Sequence, residues 1–531
     1  MFLLFLLNAI AMKTKFFLFS AACIFISSAQ ATTYYVSNSG NNNNTGLAQN
    51  LVFATLQYAA DKTKPGDSVI VISGNYVGFV MGWNGYQSGT PSKRITFKAQ
   101  PGATITSKNG STADGINLEG ASYITLDGFT VTNAGASITR AGIRCVVDTG
   151  VIVSNNVIDG MGTWGILTGF SESIIIEKNK CSHSGSQHGI YFGNSADNAI
   201  IRYNTCFSNA GCGIHMNSDA SQGGDGIIKN ALVEGNILYD NGSPGGGAAI
   251  NMDGIQNSKV INNLLYNNHA SGITAFQTDG LEASKNNLFY NNTVVMPSDG
   301  RWAIQITDGS TGNSVYNNVV LSYHSFRGGI SIDNASLTGF KSDYNAVINR
   351  FSADGQNTTI TLANWQSQTG QDQHSFVVTN TELFVNGAGN DYHLALGCKA
   401  IDAGTALVSS VVTNDLDGNS RPQGSGFDIG AYEYMAATGL EETIFPSSNL
   451  ILCYPNPFTE NTTVDFLNMK KSAQDKLDFH LFDLSGKEIL VTNHILGDKL
   501  KLERKTLTEG TYFYTVILNE EFIGSGKLII Q

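Results

Sequence analysis

Tyr191, His215, Asn217, Asn251 and Asp253 stand at matched places in three successive segments of the chain, each following an isoleucine: Ile190, Ile214 or Ile250. These side-chain types can do chemistry. A histidine such as His215 or a phenol such as Tyr191 can take a proton from carbon, provided that an arginine or a cation neutralises the neighbouring carboxylate. Arg301, Arg327 and Arg144 are the arginines available for that role. Two carboxyl groups about 5 to 9 Å apart can instead hydrolyse a glycosidic bond, and Asp253 with Asp219, Asp225 or Asp279 supplies such a pair. The same acids offer oxygen ligands, so Asp219 and Asp225, with Asp253, are candidates for holding Ca²⁺.

What would bring these residues together is a repeat. A small residue followed by isoleucine opens an alternating stretch at Ile116, Ile143, Ile166, Ile190, Ile214, Ile250, Ile273, Ile304 and Ile330. The steps are 23 to 36 residues long. A second series, Asn156, Asn179, Asn204, Asn236, Asn263, Asn292 and Asn318, runs beside it between short apolar strands. Periods of this length with period-two alternation predict a β-solenoid, in which each coil buries its apolar residues only by stacking on the next. The asparagines are expected at the corners, taking the left-handed conformation and bonding to one another up the stack.

Alternation then assigns faces. With the isoleucines, Leu118, Cys145, Phe192, Met216, Met252, Ala275, Ile306 and Ile332 inside, the residues between them form two outward columns. Tyr191, His215, Asn251, Thr274 and Gln305 lie in one, and Gly193, Asn217, Asp253 and Phe276 in the other. Long steps fall at the same place: Ser218 to Lys229 is inserted in one, and another carries Arg301 and Trp302. Insertions on one face of a solenoid build cleft walls, here with Phe276, Gln277, Asp279, Trp302, Gln305 and Arg327 as lining. His188, just before the glycine of its coil, is a further candidate. Aromatic and hydroxyl-bonding side chains in a cleft suit a sugar chain.

Composition sets limits. The chain has 531 residues, 58 of them glycine, only 14% charged, and a net charge of −12. That balance argues against a helical fold and against nucleic acid as a partner. Lys13 and Lys15, the apolar run Phe16 to Ile26 and Ala29-Gln30-Ala31 read as a secretory signal over residues 1–31. No later stretch is long and apolar enough to span a membrane. Six cysteines remain beyond the signal without zinc-type spacing; Cys206 and Cys212 are close enough in sequence to pair, and buried free thiols are an equal alternative.

The chain from 32 to 434 resembles the right-handed parallel β-helix proteins of the pectate-lyase-like superfamily. Tyr34-Tyr35-Val36-Ser37, Phe53-Ala54-Thr55-Leu56, Gly66-Asp67-Ser68-Val69 and Gly74-Asn75-Tyr76 look like its opening segment. Asp415-Leu416-Asp417-Gly418, Arg421-Pro422 and Asp428-Ile429-Gly430-Ala431-Tyr432-Glu433 look like its closing segment. The resemblance implies fold and leaves lyase, hydrolase, epimerase and adhesin open. Residues 435–448 read as a linker. Tyr454-Pro455-Asn456-Pro457-Phe458, Phe482-Asp483-Leu484-Ser485-Gly486-Lys487, Leu507-Thr508-Glu509-Gly510-Thr511-Tyr512 and Gly526-Lys527-Leu528-Ile529-Ile530 resemble the C-terminal sorting domain of type IX secretion. That implies a small β-sandwich over 449–531, the type IX machinery as partner, and a secreted or cell-surface location.

The expectation is therefore an all-β chain: a right-handed β-helix, monomeric, acting on a polysaccharide, followed by a β-sandwich. The preferred reaction is β-elimination of a uronate polymer, with His215, Tyr191, Asp253 and Arg301 catalytic. His188, Asn217, Asn251, Phe276, Gln277, Asp279, Trp302, Gln305 and Arg327 bind substrate in this reading, and Ca²⁺ is the one cofactor considered. The alternatives are a hydrolase with paired aspartates and a glycan-binding surface protein without catalysis.

Overall fold

The computed structural model describes residues 30–82, 87–242, 246–435, 450–467, 475–519 and 521–531. The expected signal up to residue 29 and the linker beyond Met435 lie outside the described residues. The chain divides into two compact units, Met1–Met435 and Ala436–Gln531.

Short strands rich in Ile, Val and Thr, broken by Gly and Asn, wind into three parallel sheets of 12, 11 and 12 strands. In each sheet a strand pairs with the equivalent strand one coil before and one coil after, so the sheets face a common core. The predicted register holds residue for residue. Ile166, Ile190, Ile214, Ile250, Ile273, Ile304 and Ile330 are stacked partners, and all are fully buried. Each contributes about 2 kcal/mol by leaving water, available only while its neighbours are in place.

The asparagine series is a continuous spine inside one corner. Nδ2 of Asn156 donates to Oδ1 of Asn179, and the pattern repeats through Asn204, Asn236, Asn263, Asn292, Asn318 and Asn345. Each amide also donates to a backbone carbonyl, as from Asn236 to Ile201 at 2.9 Å. One expectation is corrected. The left-handed backbone belongs to the residue before each spine asparagine: Asn155, Lys178, Tyr203, Gly235, Asn262, Asn291 and Asn317. A second amide run, Asn209, Asn241 and Asn268, lines another corner.

The N-terminal coil is covered by the helix Leu56–Lys62, whose start is capped by the Thr55 hydroxyl and whose Leu56, Ala59 and Ala60 are buried. At the other end the helix Leu362–Thr369 covers the last coils, and Trp365 stacks on Phe351 at 5.1 Å. The closing segment does not form this plug. It runs back along the side of the solenoid, where Asn262, Asn291 and Asn317 donate to the carbonyls of Asn414, Asp428 and Thr405. Arg421 and Glu433, both buried, pair there at 2.6 Å.

Of the two alternatives, free thiols hold: the six cysteines among the described residues are unpaired, and Cys206 lies in register with Cys181 inside the core. No helix among the described residues is long and apolar enough to cross a membrane. The second unit has antiparallel sheets of three and four strands. Phe458, Val464, Phe466, Phe479, Leu481, Val516 and Leu528 are buried in their single core.

Candidate functional site

The two columns form on the 11-stranded sheet. Tyr191 pairs with His215, His215 with Asn251, Asn251 with Thr274, and Thr274 with Gln305. Gly193, Asn217, Asp253 and Phe276 are likewise successive partners. At about 4.8 Å per strand, Tyr191 to Gln305 spans roughly 19 Å. A third column, two residues before the isoleucines, consists of Trp164, His188 and Cys212, placed by the same pairings.

At one end of the strip these columns meet. His215 Nδ1 lies 2.9 Å from His188 Nε2, and His188 Nδ1 accepts the backbone N–H of Cys212 at 2.9 Å. Tyr191 stacks on His188 (5.8 Å, 13°) and stands edge-on to His215 (5.4 Å, 81°). Burial lowers His215 to about 4, against a small opposing pull from Asp279. Burial and the His215 neighbour lower His188 to about 2. Both imidazoles are therefore neutral at neutral pH. Burial pushes the Tyr191 phenol above its ordinary value; Asn217 counteracts this, whereas Asp219, Asp279 and Asp253 add to it. Trp164 lies 6.0 Å from Tyr191 and completes an aromatic wall.

The acids are arranged differently from a catalytic pair. Asp253 is 2% exposed. Its carboxylate accepts the N–H groups of Thr278, Asp279 and Gly280 at 2.8 to 3.2 Å, so it ties down the loop after the 271–276 strand. Burial raises its pKa, and those three bonds work against the rise. Asp279 is exposed and accepts from Asn217 Nδ2 at 3.1 Å. Asp219 caps the turn Ala220–Gln222 by accepting the Ser221 N–H. Asp225 is paired with Lys229 at 2.8 Å.

Among the described residues Asp219, Asp225 and Asp253 do not bring three ligand atoms within 4.8 Å of one another; Asp225 is paired with Lys229 and Asp253 accepts backbone N–H groups. Among the described residues, the only three His, Cys, Asp or Glu groups with ligand atoms within 4.8 Å of one another are His188, Cys212 and His215. They do not fit a metal well either. A histidine bound through Nε2 carries its proton on Nδ1, yet His188 Nδ1 faces a backbone donor.

Toward the other end, Gly247, Asn251, Ser271, Thr274, Phe276, Arg301, Gln305 and Thr307 line a groove of about 250 Å³. The Thr274 hydroxyl donates to Asn251 Oδ1, and Ser271 Oγ to Gln305 Oε1 at 3.4 Å. Arg327 lies near Arg301; burial and that like charge hold its pKa below the usual value. Arg144 stands in the same column as Tyr191, two coils earlier, and is bonded to Asn117 and Glu119. Gln277 is turned to the Gly280 and Leu281 carbonyls.

Trp302 is fully buried, its indole N–H without a hydrogen-bond partner, so it cannot stack on a sugar. Trp164, by contrast, is partly exposed, and its indole N–H donates to Gln187 Oε1 at 2.9 Å. Sequence reasoning passed over Trp164 and did not count Cys212 as part of the site, although both share with His188 the position just before a repeat glycine.

The comparisons agree with this architecture. The family described as "Right handed beta helix region" matches residues 98–245, and "Secretion system C-terminal sorting domain" matches 452–531. No curated protein sequence matches the chain. Among solved structures, pectate lyase Pel9A is similar at 16% identity and a TM-score of 0.50, over 77% of this chain and 97% of that one. The structure of XylC with xylose is similar at 12% identity and 0.48, over 76% and 98%. A rhamnogalacturonan lyase is similar at 16% and 0.39, over 59% and 87%. At 16% identity the likeness to pectate lyase Pel9A is one of fold alone.

Proposed function

We propose that this chain, a right-handed parallel β-helix protein with a C-terminal type IX sorting domain, is an exported lyase that cleaves a uronate-containing polysaccharide by β-elimination. One observation carries the reading: neutral proton-handling groups, Tyr191 and His215, stand at one end of a polar strip whose groove holds Arg301. The strip is long enough for several sugars, and Trp164 offers an aromatic face. A carboxylate in the groove would meet Arg301, while the scissile bond lies over Tyr191 and His215. Between them these two supply a proton acceptor and a hydrogen-bond donor to the carboxylate next to the acidic carbon. The C–H electron pair becomes the C=C bond, the bond to the glycosidic oxygen breaks, and that oxygen takes up a proton.

Hydrolysis is less well supported, since Asp253 and Asp225 are engaged by other groups. The pectate lyase likeness is compatible with elimination but supports only the fold. The test is incubation of the full-length protein with pectin, alginate and glycosaminoglycans. Absorbance of an unsaturated uronate is the expected result. New reducing ends without it would favour a hydrolase, and retained binding without any product would favour a glycan-binding surface protein.

A further inference from the structure

The hydrogen-bond chain through His188 decides which nitrogen of His215 carries its proton. A backbone N–H can only donate, so His188 Nδ1, 2.9 Å from the Cys212 nitrogen, is an acceptor. A neutral His188 then has its proton on Nε2. That proton points at His215 Nδ1, 2.9 Å away, which must also accept. The proton of neutral His215 is left on Nε2.

The ring of His188 cannot easily turn away from this arrangement. It is stacked on Tyr191 and edge-on to His215 at 4.5 Å. A Cβ at Gly211 would lie 2.7 Å from His188 Nδ1, so the ring is seated directly against that backbone. The groups facing the pair are Tyr191, Cys212 and, from the loop after the 271–276 strand, Asp279.

We propose that His188 is a positioning residue: through the Cys212 amide it fixes His215 as the Nε2–H tautomer, so that His215 offers the substrate a donor and not a base. This rests on the lyase reading of the same site and divides its labour. His215 is the neutral donor to the uronate carboxylate, as neutral imidazoles can be to developing oxyanions. Tyr191, a neutral phenol at the outset, passes its hydroxyl proton to the departing glycosidic oxygen as its oxygen takes the proton from carbon, and so ends in the form in which it began.

The experiment is ¹⁵N spectroscopy of the full-length protein labelled in histidine, with His215 assigned by its disappearance in His215→Gln. The expected spectrum at neutral pH shows His215 protonated at Nε2 and bare at Nδ1. A proton on Nδ1, or an imidazolium, would overturn the proposal. Two variants extend the test to activity. The side-chain amide introduced by His188→Gln can accept from Cys212 and donate to His215, so this variant should keep the tautomer and most of the turnover. In His188→Glu the carboxylate only accepts, which draws the His215 proton to Nδ1. This should lower kcat by about 100-fold with KM little changed. Thermal unfolding run in parallel checks that both variants are folded, and equal kcat in the two would refute His188's role. If the wild-type protein cleaves no glycan, the lyase reading fails, and the nitrogen spectrum still decides the tautomer.

Discussion

Gly193→Ala offers a sharp check on Tyr191, because the structure contains its own control. A Cβ at Gly193 would lie 2.4 Å from Tyr191 Cε1, 3.0 Å from Cζ and 3.2 Å from the hydroxyl oxygen. Non-bonded carbons settle at about 3.5 to 4.0 Å, so the ring must retreat by about 1 Å. Misplacing a reacting group by that much costs on the order of 100-fold in rate, or about 2.7 kcal/mol of barrier. The backbone itself accepts alanine, since Gly193 is not among the positive-φ glycines. Gly169 occupies the same column one coil earlier, and a Cβ there would first meet Asn194 Nδ2 at an ordinary 3.6 Å. Measured on whichever glycan the wild-type protein cleaves, kcat/KM should fall about 100-fold in Gly193→Ala and within about threefold in Gly169→Ala. Equal activities in the two folded variants would refute the placement of Tyr191 at the reacting bond.

Two further outcomes concern stability. Asn236→Ala removes four buried hydrogen bonds, two accepted from Asn204 and two donated to Ile201 and Asn263. At about 1 kcal/mol net for each, urea unfolding should report a loss of about 4 kcal/mol, and a loss below about 1 would show that the spine is dispensable. His393 bonds Asp391 at 2.6 Å and Asp417 at 2.9 Å. Burial opposes its charge, but the two carboxylates outweigh that and leave its pKa above the usual 6.5. The folded state thus holds the His393 proton more tightly, which stabilises it below about pH 6.5 and is lost as pH rises through the raised value. The Tm advantage of wild type over His393→Gln should be largest near pH 6 and vanish near pH 9; a pH-independent difference would contradict it.

The faces of the columns were legible because alternation and stacking leave little freedom: once Ile190, Ile214 and Ile250 are inside, Tyr191, His215 and Asn251 must be aligned outside. What those residues bond to was not legible. Asp253 looks like a free carboxylate in the sequence, and only the folded loop 278–280 shows that three amides occupy it. Trp302 is buried and Trp164 partly exposed for the same reason, since exposure depends on which segments cover a coil. The corner conformation was assigned one residue late. The repeated asparagine marks the hydrogen-bonding position, which demands an amide, while the left-handed position is held by its surroundings and admits Lys178 and Tyr203 as readily as Asn155.

The spine has a direction. Every amide nitrogen from Asn156 onward faces the following coil, so the aligned side-chain dipoles have their positive end at Asn345. There Nδ2 meets the buried Asp372 carboxylate at 2.9 Å, which Trp365 and Ser375 also bind. Solenoid length is therefore more readily edited in the interior than at this terminus: an extra turn with its own asparagine can join the queue, whereas trimming the last one takes away one of the donors that hold the buried Asp372 carboxyl.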